Sequence, residues 1–172
     1  LKAWCTATDI NSLYSHEEGS MYLTTRGKPQ RTQMQLVKQA ARWYARRLLG
    51  NRLNQVVDVE LVFTFNDMDG NVHGYCDWND SSYKARDFTI SIRPNLSKKQ
   101  TLLAIAHEMV HVKQYAKGEL YDLTRSRKCK WRGGVVDNFN TSYWDLPWEI
   151  EAHELELTLY REFMADMRMR GI

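Results

Sequence analysis

AIAHEMVHVKQ, residues Ala104–Gln114, places two histidines four positions apart with a glutamate directly after the first. On a helix each residue turns by about 100°, so His107 and His111 share one face, a single turn apart. Two neutral imidazoles placed this way reach one cation, with zinc at about 2.0–2.1 Å from each nitrogen. Glu108 stands about 100° round from His107, off the coordinating position. It is close enough to take a proton from a water on the metal. The bland alternative spells the same letters: an amphipathic helix with two half-buried, hydrogen-bonded histidines.

The flanks define the helix and its neighbours. Ser97 suits an N-cap and Gly118 a C-terminal stop, and Leu102, Ile105, Met109 and Val112 make a core stripe between them. Upstream, VVDVELVFTF (Val56–Phe65) and DFTISIRP (Asp87–Pro94) alternate apolar and polar residues as strands do, with VHGYCDW (Val72–Trp78) a third strand between turns. TQMQLVKQAARWYARRLLG (Thr32–Gly50) repeats apolar residues at helical spacing and ends on glycine. Downstream, residues 119–146 show no clear period, although KWRGGVVD suits a short hairpin. A loop this long in a compact domain is usually functional. PWEIEAHELELTLYREFMADMRMRG then reads as a helix, with Pro147 first, acidic residues early and basic residues late. Helix, three strands, histidine helix, long loop, helix: this order predicts an α+β fold with a small three-stranded sheet. At 172 residues a single domain over 1–172 is expected, with residues 1–30 unassigned.

A catalytic zinc site uses three protein ligands and leaves one position for water. The last helix offers Glu149, Glu151, His153, Glu154 and Glu156. Glu149 and His153 share a face, whereas Glu151 points about 200° away from Glu149, so both carboxylates cannot meet the ion. Glu149, Glu151 and His153 each remain candidates for the third ligand. An acidic first turn favoured by the helix dipole accounts for the same residues without any metal.

HExxH followed by a later Glu-x-x-x-Asp helix resembles the gluzincin metallopeptidases, including minigluzincin-like forms. The matching residues here are Glu149-Ile150-Glu151-Ala152-His153, with His153 where that family has Asp. The resemblance implies zinc on His107, His111 and Glu149, and Glu108 as general base. RDFTISIRPNLSKKQTLLAIAHEMVHV is also similar to SprT-like metallopeptidases over about 27 residues. That likeness stops there: no further histidine follows before His153, and there is no cysteine zinc ribbon. A small phage or bacterial peptidase family is the context these likenesses imply. In such zincins the sheet edge beside the active helix receives substrate as an added strand, and DFTISIR is the segment the resemblance puts there.

Other features narrow the function. Tyr143, before the last helix, and Tyr115 each carry a phenol able to donate to an oxyanion, as His153 can through its ring; a packing role competes for both tyrosines. His16 and His73 lie in polar or strand contexts better suited to non-site roles. The net charge of +3 excludes a strong whole-protein field, so nucleic-acid contact would have to come from a local patch. TRSRKCKWRGG supplies one: Arg125, Arg127, Lys128, Lys130 and Arg132 with Trp131 between them, a DNA-contacting loop or a solvated one. Cys5, Cys76 and Cys129 are too few and too scattered for a disulfide framework, which suggests reduced thiols in a cytoplasmic setting. No signal-peptide core and no membrane span are seen.

The expected function is a zinc metallopeptidase, an endopeptidase acting on protein or peptide substrates, with Glu108, Tyr143 and His153 as catalytic groups. The alternatives are a SprT-like protease acting on DNA-bound proteins and a non-catalytic, metal-stabilised binding module.

Overall fold

Period-two and period-3.6 apolar patterns alternate along the chain, and the fold is what results when both are buried against each other. The computed structural model describes residues 20–66, 68, 70, 72–123 and 128–171. In order these form β1 (Tyr22–Arg26), α1 (Met34–Asn54), β2 (Asp58–Phe63), β3 (Gly74–Trp78), β4 (Asp87–Ile92), α2 (Lys98–Lys117), β5 (Leu120–Leu123), β6 (Lys128–Trp131), β7 (Gly134–Val136), a 3-10 turn at Tyr143–Asp145, and α3 (Pro147–Met169). The class is α+β, as expected, but there are two sheets rather than one of three strands.

The larger sheet has the order β1-β2-β4-β3. β1 and β4 run parallel to β2, and β3 runs antiparallel to β4. β1 falls in the segment left unassigned from sequence, because YLTTR is short, mostly polar and lacks an alternating apolar pattern. β4 is interior, which corrects the expectation that DFTISIR forms the open edge. Phe88, Ile90 and Ile92 are fully buried and Ser91 nearly so, the burial of a strand flanked on both sides. The edge beside α2 is β3.

The second sheet, β5-β6-β7, replaces most of the expected long loop. Its strands are three or four residues long, too short to show a period. KWRGGVVD does form a hairpin. Its turn residues Arg132 and Gly133 both have positive φ (47° and 89°), the backbone twist that a two-residue hairpin loop favours.

α2 packs on β3 and β4 on one side and on α1 and α3 on the other. Leu102, Ile105, Met109 and Val112 are all fully buried, each worth about 1.5–3 kcal/mol relative to exposure for side chains of this size. Ser97 caps α2 with a reciprocal capping box to Gln100. Gly118 ends it at φ 70°, where a Cβ would also come within 3.0 Å of the Tyr83 ring. α1 and α3 are joined by edge-on packing of Tyr44 against Phe163 at 5.6 Å and by the Trp43 Nε1–Asp166 hydrogen bond of 3.1 Å. α1 runs on past the expected stop at Gly50, which marks a kink (φ 71°, ψ 171°) rather than an end. No helix among the described residues is long and apolar enough to cross a membrane.

Candidate metal centre

α2 is buried almost all round from Ala104 to Gln114, so His107, Glu108 and His111 lie inside the protein rather than on a wet face. α3 crosses α2 there and brings Glu149, also buried, from its first turn. His107 Nε2 and His111 Nε2 are 3.2 Å apart, and Glu149 Oε2 lies 3.3 and 3.5 Å from them. Donors each about 2.0–2.1 Å from a tetrahedral zinc stand roughly 3.3–3.4 Å from one another, so the triangle has the right edges for one ion.

The hydrogen bonds behind the triangle decide which atoms face it. Gln114 Nε2 donates to Trp148 O and to Glu151 Oε2, both at 2.9 Å. Both partners are acceptors, so the amide orientation is fixed and Gln114 Oε1 accepts from His111 Nδ1 at 2.9 Å. Glu156 Oε2 accepts from His107 Nδ1 at 2.9 Å. Both imidazoles therefore carry Nδ1–H and turn an Nε2 lone pair toward Glu149, the arrangement a metal-binding histidine needs. With neither a metal ion nor an added proton at the centre, three electron-pair donors confront one another, and Glu149 Oε2 is buried with no hydrogen bond.

Electrostatics express the same demand for positive charge. Burial alone would lower the His107 pKa, but the nearby Glu149 carboxylate and the bond to Glu156 outweigh it and raise the pKa to about 10, so that in the metal-free site a proton on this imidazole can supply the positive charge. His111 is raised for like reasons, chiefly Glu149 against burial. The Glu149 carboxyl is held well below the usual range, its burial overcome by both histidines and by the Tyr143 hydroxyl. Glu108 is shifted up by burial, with the two imidazoles opposing. Its carboxylate lies beside β3, where a Cβ on Gly74 would meet Glu108 Oε1 at 3.3 Å.

His153 completes the surroundings. Its ring stands 4.6 Å from that of His107 and is stacked under Trp144 at 5.2 Å. His107, Glu149 and His153 offer ligand atoms all within 4.8 Å of one another, a His-Glu-His set, its first two members buried and His153 half-buried, able to hold a metal. His153 Nε2 is itself buried without a hydrogen-bond partner. Two candidate triads thus share His107 and Glu149. The set with His111 has edges of 3.2–3.5 Å, which match the donor spacing around one zinc ion.

The remaining sequence candidates sort by what they touch. Glu151 turns away from the triangle, as helical spacing predicts, and binds Lys113, Gln114 and Arg132. Tyr143 reaches Glu149 with its hydroxyl. Tyr115 packs on Trp78 at 4.4 Å, a packing role. His73 is exposed. Cys76 and Cys129 are free thiols. In the basic segment, Arg132 pairs with Glu119 and Glu151 and lies over the Trp131 ring at 4.6 Å, while Lys128 and Lys130 are exposed. Cys5, His16, Arg125 and Arg127 lie outside the described residues. Gln114 and Trp144 are additions that the sequence did not point to, and Glu156, one of the acidic residues the last helix offers, gains a role it was not given there. That role was accessible from sequence: seven residues from Glu149, Glu156 lies within about 20° of the same helical face.

Protein-family models, curated proteins and solved structures give no match for the chain.

Proposed function

We propose that this protein is a zinc-dependent metallopeptidase that hydrolyses internal peptide bonds. The observation that carries the proposal is the buried triangle of His107 Nε2, His111 Nε2 and Glu149 Oε2, with edges of 3.2–3.5 Å and an unpaired carboxylate oxygen. These three residues hold the ion, and Glu156 and Gln114 fix the tautomers that make the imidazoles ligands. A zinc ion there supplies Lewis acidity and brings a coordinated water toward neutral pKa.

The chain's own groups do the rest. Glu108, buried and adjacent to the histidines, takes the proton of the attacking water and returns it to the departing amine nitrogen. The upward shift of its carboxyl suits a group that must both accept and release a proton. Tyr143 and His153 stand at the mouth of the site, with Tyr143 and Trp144 exposed, and donate hydrogen bonds to the negative oxygen that develops on the substrate carbonyl. β3, the sheet edge next to Glu108, offers backbone hydrogen bonds to an extended substrate.

Metal analysis of the wild-type protein with His107→Ala, His111→Ala and Glu149→Ala tests the ligand set. Glu108→Gln tests the chemistry: zinc is retained while cleavage of an unfolded protein falls about 10²–10⁴-fold. Retained hydrolysis in Glu108→Gln, or no hydrolysis by the zinc-loaded wild type, removes the enzyme.

His153 favours a second reading. Its unpaired Nε2 near the triangle could close the site as a fourth donor, leaving no position for water and making the ion a staple for a binding module. Under that reading His153→Ala lowers zinc affinity as strongly as His111→Ala. The DNA-associated variant of the peptidase rests on the basic segment 125–132, in which Lys128 and Lys130 are exposed on the same face of β6. It requires DNA binding that weakens steeply with salt and is lost in the double Lys→Ala protein.

A further inference from the structure

A cavity of about 360 Å³ lies at the end of β3 away from Gly74, and none of the groups proposed for metal or catalysis lines it. Its walls are two aromatic pairs. Trp78 packs on Tyr115 with ring centres 4.4 Å apart, and Tyr83 on Tyr121 at 4.9 Å. Asp80 and Asp122 complete the lining. Among the described residues neither carboxylate makes a direct ion pair with a Lys or Arg, although the Arg86 guanidinium is close enough to help hold the Asp80 carboxyl below its usual range. Asp80 is held by the backbone N–H groups of Ser82, Arg86 and Asp87, and Asp122 accepts from the Cys129 thiol at 3.0 Å. The nearby Arg86 guanidinium donates instead to the carbonyls of Lys84, Ala85 and Ala116. Aromatic faces and the Asp122 carboxylate, bound only to a neutral thiol, with Asp80 beside it, make a surface complementary to an organic cation.

The position of the cavity says how the cation arrives. Along β3 alternate residues face α2: Gly74 beside Glu108, and Trp78 against Tyr115. A chain added to this edge, open among the described residues, places residues across from Gly74 and Trp78 on the same face, four positions and about 13 Å apart. We infer that the cavity is a side-chain pocket for a lysine or arginine of an extended peptide lying on β3, four residues from the one beside Glu108. This deepens the peptidase proposal and rests on it for the register, but the pocket's preference is a binding property and can be measured alone.

The test uses full-length Glu108→Gln protein and a fluorescent decapeptide series with a single lysine moved through otherwise neutral positions, compared with norleucine and glutamate at each position. One lysine position binds about tenfold tighter than norleucine, and glutamate there binds weakest. Asp122→Asn and Tyr83→Leu, both on exposed or half-exposed side chains, weaken the lysine peptide more than the norleucine peptide and reduce the lysine advantage to about twofold or less. No lysine position preferred over norleucine, or a preference that survives both substitutions, overturns the pocket. Mapping the cuts that wild-type protein makes in an unfolded protein separates the two proposals. Cuts without a basic residue at a fixed spacing of four sink the pocket and leave the peptidase. A lysine preference lost in Asp122→Asn, in a protein that cuts nothing, sinks the peptidase and leaves the pocket.

Discussion

Between α2 and α3 lie two buried polar clusters, about one helical turn apart and joined by Gln114. In the first, Lys113 Nζ bonds Glu119 Oε2 at 2.7 Å and Glu151 Oε1 at 2.9 Å, Gln114 Nε2 bonds Glu151 Oε2 at 2.9 Å, and Arg132 reaches the same carboxylate. No buried polar atom of these residues lacks a partner. In the second, His107, His111, Glu149 and His153 bring donors just as close, yet Glu149 Oε2 and His153 Nε2 are orphans. A buried polar atom without a partner costs about 1–3 kcal/mol, so a fold that keeps two of them together must recover the loss elsewhere. The first cluster is complete as folded chain. The second calls for added positive charge, a metal ion or protons on its imidazoles.

That contrast can be broken at several points. The largest effect is expected for Glu149→Ala: stoichiometric zinc is lost on dialysis and hydrolysis with it, both read by elemental analysis and a cleavage assay. Lys113→Met should do the reverse, leaving zinc content intact while lowering unfolding free energy by about 1–2 kcal/mol in urea titrations, since a charged hydrogen-bonding partner is removed from two half-buried carboxylates. If Lys113→Met strips the metal as Glu149→Ala does, the two clusters are one functional unit. Next come the residues behind the histidines. Glu156→Gln lowers zinc affinity roughly 10–100-fold in chelator competition, the usual range for a group orienting a ligand. Gly74→Ala is expected to cost about 1–3 kcal/mol, because its Cβ would sit 2.8 Å from Ser91 O and Ile92 Cδ1. Activity falls further than stability alone explains, since the same methyl crowds Glu108. The smallest effect belongs to His153→Leu in the metal-free protein, within about 0.5–1 kcal/mol of wild type, because the substitution removes an orphaned nitrogen while keeping an apolar contact for Trp144.

The helices were legible because their signals are local. Ser97, Gly118 and Pro147 mark ends that the structure keeps, and the apolar stripe of α2 is buried as its spacing requires. The same angular arithmetic separated Glu149 from Glu151, and these two now serve different clusters. What sequence did not disclose depends on pairing between distant segments. β1 owes its place to β2, and β4 looks like any alternating strand until β3 covers its other side, so the open edge could not be assigned from DFTISIR. The role of Gln114 was hidden for another reason. An amide in an apolar helix carries no motif, and its orientation follows only once Trp148 O and Glu151 Oε2 are seen to claim its nitrogen.

The triangle's donors belong to α2 and α3, whose apolar sides are the core itself. A cation seated there would clasp the two helices and resist unfolding of the whole domain. At a free concentration a hundredfold above the dissociation constant, such an ion adds about 2.7 kcal/mol to the folded state. Heat resistance would then report ion supply, and a thermal-shift series across divalent metals would rank their affinities before any substrate is known.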